Sequence, residues 1–238
     1  MTLAEILSSL FPNGHDVTVR DGLVSGAGRF ADGQMTVIGI DGDTPLGVDG
    51  ALQLSRTVLD AVRKGDRAPI LVAVDSDSQR MSRRDELLGL NECLAHLAKA
   101  LLLADRSGHP TIGLIYGHSA AGAFIATALA TRILAALPGA NPSVMDLPSV
   151  ARVTKLPLDT LKEMAKSTPV FAPGLDNMVA TGAVHVVLDP QEPLDSQIRD
   201  LIATMDPSDV RDRLGAERGG RPVARDVARA VIDQARRG

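Results

Sequence analysis

The stretch TIGLIYGHSAAGAF, residues 111–124, decides how the chain is read. Residues 111–116 form an apolar run of strand type, and from Ala120 the sequence turns Ala-rich and helical. A strand that passes through a small-residue turn into a helix is the building unit of an α/β sheet. Inside the turn sits Gly117-His118-Ser119, the beginning of a nucleophile elbow. Either Ser119 is an attacking hydroxyl, or the turn exists for the backbone N–H groups that it exposes.

Upstream, APILVAVD (68–75) is a short apolar run of the kind shown by a fully buried parallel strand. The polar loop SDSQRMSRRD follows, and then the periodicity predicts one long helix over 84–105. Its stripe is Leu87, Leu90, Leu94, Leu97 and Leu101. Cys93 and His96 lie on this helix and read as packing or surface residues, because no second cysteine or suitably spaced histidine joins them. Earlier still, residues 22–40 predict two strands joined near Asp32-Gly33, and 49–64 a helix with Leu54, Val58, Ala61 and Val62 on one face. Between them, Asp41, Asp43 and Asp49 suggest a calcium loop but lack its spacing and closing Glu, so no metal is expected.

Downstream, a helix is expected over 120–137, broken by LPGANPS. A strand near 143–145 and a helix over 158–166 follow. AVHVVLD is a further strand, with His185 a side chain alternating across it. Two or three short helices close the chain, the last over 223–237, where Arg225, Arg229, Arg236 and Arg237 form a solvated or subunit-facing surface. Strands alternating with helices imply a mostly parallel sheet with right-handed crossovers.

Bulk properties narrow the classes. The chain of 238 residues can bury a full core, and with four Phe, one Tyr and no Trp that core must be aliphatic. A net charge of −4 gives no electrostatic footprint for nucleic acid, and no apolar run is long enough for a membrane span. Residues 1–11 carry Glu5 and no basic region, so they do not read as a signal peptide. A lone cysteine excludes an internal disulfide and fits a reducing cytoplasm.

Three chemistries compete for the turn. A hydrolase elbow wants glycine two residues either side of the serine, but position +2 is Ala121 and the glycine falls at Gly122. The triad fares worse: only His185 follows Ser119, inside an expected strand, and Asp176 would be an awkward acid. A phosphate-binding turn lacks both the Gly-Lys-Ser/Thr ending and a Gly-x-Gly-x-x-Gly at a strand–helix junction; GAGRFADG (26–33) starts well but has no third glycine in place. The third reading needs only backbone. The first N–H groups of a helix have no intrahelical partners, and Ala120, Ala121, Gly122 and Ala123 are small enough to let a carbonyl or carboxylate approach them. Such donors stabilise an oxyanion by about 3 kcal/mol each in a transition state. The bland alternative is that this cluster only packs a helix on the sheet.

The order strand, polar loop, long helix, strand, small-residue turn is similar to that of the crotonase/carboxyltransferase superfamily. YGHSAAGAF resembles the Gly-Gly-Ala-Tyr turn of acyl-CoA carboxyltransferases, with Ala121-Gly122-Ala123-Phe124 in its place. More narrowly, IYGHSAAGAFIATALA, LPSVARVTKLPLDTLKEMAKSTPVFAPG and GAVHVVLDP resemble the gamma subunits of biotin-independent malonate decarboxylases. The resemblance implies one crotonase (ClpP-like) domain over 1–238, built of repeated ββα units with a mostly parallel sheet flanked by helices, and with 194–238 as a C-terminal helical segment. It implies a homologous beta subunit as partner, and a malonyl thioester on an acyl-carrier protein as substrate. Products are then the acetyl thioester and CO2, and the prosthetic group is a phosphopantetheine-derived arm on the carrier, not on this chain.

Carried over by position, Gly122 is the expected oxyanion N–H, with Ala121 or Ala123 beside it. A second donor is expected between Ser78 and Met81, at Gln79 and Arg80. Ser119 and His118 would line the site, orienting the carboxylate or protonating the enolate carbon unless a water does so. Arg83 or Arg84 would attract the malonyl carboxylate, or simply begin a solvated helix. The family's Gly-Gly is Ala121-Gly122 here, which bears on how closely substrate approaches the first position. Three other functions stay open: half of a biotin-dependent carboxyltransferase, although no Met-Lys-Met attachment site is present; a non-catalytic scaffold; and a serine hydrolase.

Overall fold

The computed structural model describes residues 1–169 and 172–237; Val170 and Phe171, in the third of the stretches quoted for the resemblance, and Gly238 lie outside them. The chain begins with helix α1 (Leu3–Leu10), started by a Thr2/Glu5 capping box and burying Leu3, Ile6, Leu7 and Leu10. Strands β1 (Thr18–Arg20), β2 (Leu23–Phe30) and β3 (Gly33–Ile40) then run antiparallel to one another. Helix α2 (Val48–Lys64) leads to β4 (Ile70–Ser76), which joins β3 in parallel. Helices α3 (Arg83–Leu87) and α4 (Leu90–Arg106) precede β5 (Thr111–Ala120).

After β5 come α5 (Ala121–Ala126), a 3-10 turn (Ala128–Ala130), β6 (Ile133–Ala136) and β7 (Asn141–Ser143). Helices α6 (Leu147–Thr154), α7 (Leu158–Ser167) and α8 (Leu175–Ala180) precede the two-residue β8 (Val186–Val187). Helices α9 (Leu194–Ala203), α10 (Arg211–Glu217) and α11 (Ala224–Arg237) finish the chain. The sheet order is β1-β2-β3-β4-β5-β6-β8, with β7 paired to the far end of β5, and every pairing from β3 onward is parallel.

The strands are buried on both faces, so alternate residues feed two cores. Ile38, Val72, Val74 and Ile115 pack with α2, α4 and α5 on one side; Val37, Leu71, Ala73, Ile112 and Leu114 pack with α1 and α9 on the other. Leu194 and Ile198 of α9 are fully buried against the N-terminal helix, and Ser9 Oγ accepts the N–H of Leu194 at 2.9 Å.

Two expected helices differ from the observed ones for local reasons. The long helix over 84–105 is two helices, because Gly89 adopts a left-handed φ of 76° between them; Leu87 is consequently swung out of the stripe and is 77% exposed. The expected helix over 120–137 is only six residues long. Thr127 leaves the helical region (φ −112°, ψ −97°) while its Oγ1 donates to Ala123 O at 2.6 Å, and Thr131 Oγ1 donates to Ala128 O and Ile133 O at 2.6 and 2.8 Å. Residues 133–136 then fill the slot beside β5 as a wholly buried parallel strand, Ile112 opposite Ile133 and Ile115 opposite Ala136. Of the expected strand AVHVVLD only Val186 and Val187 pair, the strand expected near 143–145 is β7 at Asn141–Ser143, and α1, β1, α6 and α8 are not among the expected elements.

Candidate active site

The turn after β5 is placed by a bulge. Val74 pairs with Ile115 and Ser76 with Ser119, so the single residue Asp75 faces three residues, Tyr116, Gly117 and His118. Asp75 fills the gap: its Oδ1 accepts the N–H of His118 at 2.9 Å, and any Cβ on Gly117 would collide with its carboxylate. Gly117 therefore serves the bulge rather than a sharp elbow. Tyr116 is fixed beside it, its hydroxyl donating to Asp41 Oδ1 at 2.7 Å, and burial followed by that bond pushes its pKa far up.

Beyond the bulge the strand continues to Ala120, with His118, Ser119 and Ala120 paired to β7. Ser119 is fully buried, and its hydroxyl is the one buried side-chain polar atom without a hydrogen-bond partner among the described residues. A serine nucleophile must present Oγ to substrate and to a base. Here the candidate base is elsewhere: His185 lies beside β8, with β6 between it and β5, and its Nδ1 accepts the N–H of Leu134 at 3.1 Å. Burial first, and then the nearby Arg211, push its pKa down to about 4, so it is neutral at pH 7.

At Ala121 the backbone takes φ +50°, a conformation costly for a residue with a Cβ, and α5 starts there. Phe124, fully buried, seats this short helix in the core; such a side chain contributes roughly 1.5–3 kcal/mol. Gly122 is tightly enclosed: a Cβ would stand 3.0 Å from Gln79 Oε1 and 3.1 Å from Leu94 Cδ1. Its N–H donates to Gln79 Oε1 at 2.7 Å.

The loop that carries Gln79 is held by backbone. Leu46 and Gln79 form an isolated parallel bridge, in which Leu46 N donates to Ser78 O and Arg80 N donates to Leu46 O, both at 2.8 Å. The structure thus brings Gln79 to the turn through its side chain, whereas the N–H of Arg80 is already committed. Arg84 grips Asp49 with two bonds, at 2.8 and 3.2 Å, both partners being exposed; Arg83 is exposed at the start of α3.

Sequence reasoning missed Asp75 and Asp85. Asp85, fully buried, accepts from Ser82 Oγ at 2.6 Å and from the N–H of Val48 at 3.1 Å, tying the start of α3 to the start of α2 and so bracing the Gln79 loop. Those two bonds hold its carboxyl below the usual range against the opposing effect of burial. The signal in the sequence was a Ser-x-x-Asp cap at 82–85, read only as a polar loop. Of the three aspartates of 41–49, Asp41 accepts from Tyr116 and Asp49 pairs with Arg84.

Small residues, one constrained N–H and an anchored facing loop meet at this turn, and the oxygen that the N–H holds is Gln79 Oε1. No side chain in this turn is posed to attack. Among the described residues no helix is long and apolar enough to cross a membrane.

The chain is similar to several known proteins. A protein of Malonomonas rubra named malonyl-S-ACP:biotin-protein carboxyltransferase MADD is 28% identical over 250 residues, covering 92% of this chain and 85% of that protein. The fold matches the crystal structure of a Pseudomonas malonate decarboxylase hetero-tetramer in complex with coenzyme A, with a TM-score of 0.79 and 22% identity over 97% of this chain and 98% of that one. It also matches the transcarboxylase 12S core, with a TM-score of 0.70 and 15% identity over 86% of this chain and 41% of that longer one. These likenesses confirm the crotonase-type carboxyltransferase fold. The profile of the family described as malonate decarboxylase gamma subunit matches residues 42–235, and the chain belongs to that family.

Proposed function

We propose that the chain acts with a homologous beta subunit to decarboxylate malonyl-S-acyl-carrier protein, giving acetyl-S-acyl-carrier protein and CO2. The observation that carries this reading is the Ala121-Gly122 turn, whose N–H faces an oxygen 2.7 Å away on an anchored neighbouring loop. As the C–C bond to the carboxylate breaks, its electron pair moves into the thioester, and an enolate oxygen develops that backbone donors stabilise. CO2 leaves, and the α-carbon then takes a proton. Ala121 and Ala123 flank the Gly122 donor, Gln79 must give way to the incoming oxygen, and His118 and Ser119 border the turn. Because α5 has six residues, the contribution comes from individual amides more than from a long-helix dipole.

The phosphopantetheine-derived arm belongs to the carrier. It supplies the thioester and nothing more, and the exposed Met81 and Ile125 offer it apolar surface near the turn. A cytoplasmic setting suits both thioester and free thiol.

The test is reconstitution: the chain co-expressed with beta subunit and carrier should release CO2, and the isolated chain should not. Gly122→Pro, which removes the donor, should lower kcat by about 10²–10³-fold in a complex that still assembles. Activity of the isolated chain, or a Gly122→Pro effect no larger than that of a local packing defect, would leave the subunit a scaffold. The name of the Malonomonas rubra relative favours a second reading, in which carboxyl is passed to a biotin protein. Avidin inhibition of the native complex separates the two.

A further inference from the structure

The loop between β4 and α3 exposes a thioether at the rim of the turn. Met81 is 78% exposed, more than any other of the chain's seven methionines; Met1 and Met145 reach 40% and 43%, and Met35 is fully buried. Its sulfur has a partner. Gln79 Nε2 donates to Met81 Sδ at 3.8 Å, while Gln79 Oε1 accepts the N–H of Gly122 at 2.7 Å. One primary amide thus spans the two, its carbonyl end on the turn and its NH2 end on the sulfur. The backbone on either side is anchored, since Leu46 N donates to Ser78 O and Arg80 N donates to Leu46 O. Gln79 therefore leaves the turn by rotating its side chain.

We infer that Met81 is a modification site, oxidised to the sulfoxide by hydrogen peroxide, and that the sulfoxide latches Gln79 onto Gly122. A thioether sulfur is a weak acceptor, so its contact to Nε2 restrains the amide little. In the oxidation a sulfur lone pair attacks one oxygen of the peroxide. The S–O bond forms as the O–O bond breaks, and sulfur gives up two electrons. The departing hydroxide takes the proton from the transferred oxygen and leaves as water. The side chain is now polar, with an oxygen on the sulfur that is a far stronger acceptor than the sulfur was. With nitrogen and sulfur 3.8 Å apart, that oxygen reaches Nε2 at ordinary hydrogen-bond length without a shift of the loop. Both ends of the amide are then held, and freeing Gly122 breaks one hydrogen bond more. An added neutral bond of this kind favours the latched state about five-fold. The effect on substrate rests on the proposed function, in which the N–H of Gly122 receives the substrate oxygen.

The test treats the complex of chain, beta subunit and carrier with dilute hydrogen peroxide. Met81 is followed by peptide mass mapping and Gly122 by amide-resolved hydrogen exchange. Met81 should gain one oxygen before the chain's other six methionines, and exchange at Gly122 should slow about five-fold. Methionine sulfoxide reductases with a dithiol should reverse both changes. KM for the malonyl thioester should rise about five-fold with kcat little altered. In Met81→Leu and in Gln79→Ala, each compared with itself before and after peroxide, neither exchange nor KM should move. Those comparisons also discount oxidation of the free Cys93 or of the partner subunit. The inference is overturned if Met81 resists peroxide while other methionines react, or if exchange at Gly122 is unchanged once Met81 is oxidised. It is also overturned if the rise in KM persists in Gln79→Ala, which would trace it to apolar surface lost at Met81. Slowed exchange with an unmoved KM keeps the latch and removes Gly122 from substrate binding, so the two readings fail separately.

Discussion

The side-chain carbonyl of Gln79 accepts the backbone N–H of Gly122 at 2.7 Å, so an oxygen of the protein already stands where a substrate oxygen is proposed to bind. A neutral hydrogen bond of this kind is worth about 1 kcal/mol net, and a bond to an anionic oxygen is about twice as strong. An enolate or carboxylate can displace the amide. Gln79→Ala should therefore lower KM for the malonyl thioester by about five-fold with little change in kcat. Gln79→Glu, which places a charged acceptor at the same N–H, should raise KM. If Gln79→Ala instead lowers kcat and the melting temperature with KM unchanged, the side chain is a strut and not a placeholder.

Ala121 holds φ +50° at the step into α5. A left-handed conformation costs a residue with a Cβ about 1–2 kcal/mol, offset in glycine by its greater freedom in the unfolded chain. Ala121→Gly is accordingly expected to change stability by between 0 and about +1 kcal/mol in urea unfolding. A clear loss of stability would mean that the alanine methyl makes contacts that outweigh the strain.

Ser119 buries a hydroxyl without a partner. Leaving such a group unsatisfied costs about 1–3 kcal/mol, so Ser119→Ala should be neutral or stabilising. Its kcat should fall less than about 100-fold, whereas loss of a true nucleophile costs near 10⁶. A covalent acyl adduct on Ser119, sought by intact-mass measurement during turnover, would restore the hydrolase reading.

Asp85 receives two hydrogen bonds in full burial, and Asp85→Ala strands both donors. A loss of about 2–4 kcal/mol is expected in denaturant unfolding. The folded carboxyl has a lowered pKa, so its contribution is present above the unfolded value near 3.9 and fades as pH falls through the folded value. The pH dependence of stability below about pH 4 should be shallower in Asp85→Asn than in wild type. Identical profiles would remove Asp85 from the groups that link pH to folding.

Much of this was legible in the sequence because strand and helix periods differ. The runs at 68–75 and 111–116 are strands, the repeat at 49–64 is a helix, and the Ser78–Met81 loop does meet the turn. What was not legible has physical causes. Residues 126–136 are nearly all small or apolar, and a strand buried on both faces has no period to distinguish it from helix; only Thr127 and Thr131 mark the break. Gly89 inside a leucine repeat reads as a tolerated defect until its backbone is seen to turn left-handed. Gly117 invites the elbow motif because its true reason, the carboxylate of Asp75, lies 42 residues earlier in sequence and is brought beside it only by the sheet.

The three-against-one stretch at Asp75 has an architectural consequence. Two surplus residues in β5 are taken up opposite Asp75, so that Ser119 is again level with Ser76, the last residue of β4, and the small-residue corner begins just past that strand's end. Position along the ladder, more than the identity of any one side chain, sets where the anion would be met. Excising the two surplus residues would flatten the strand and take away the space that Gly117 leaves for the Asp75 carboxylate.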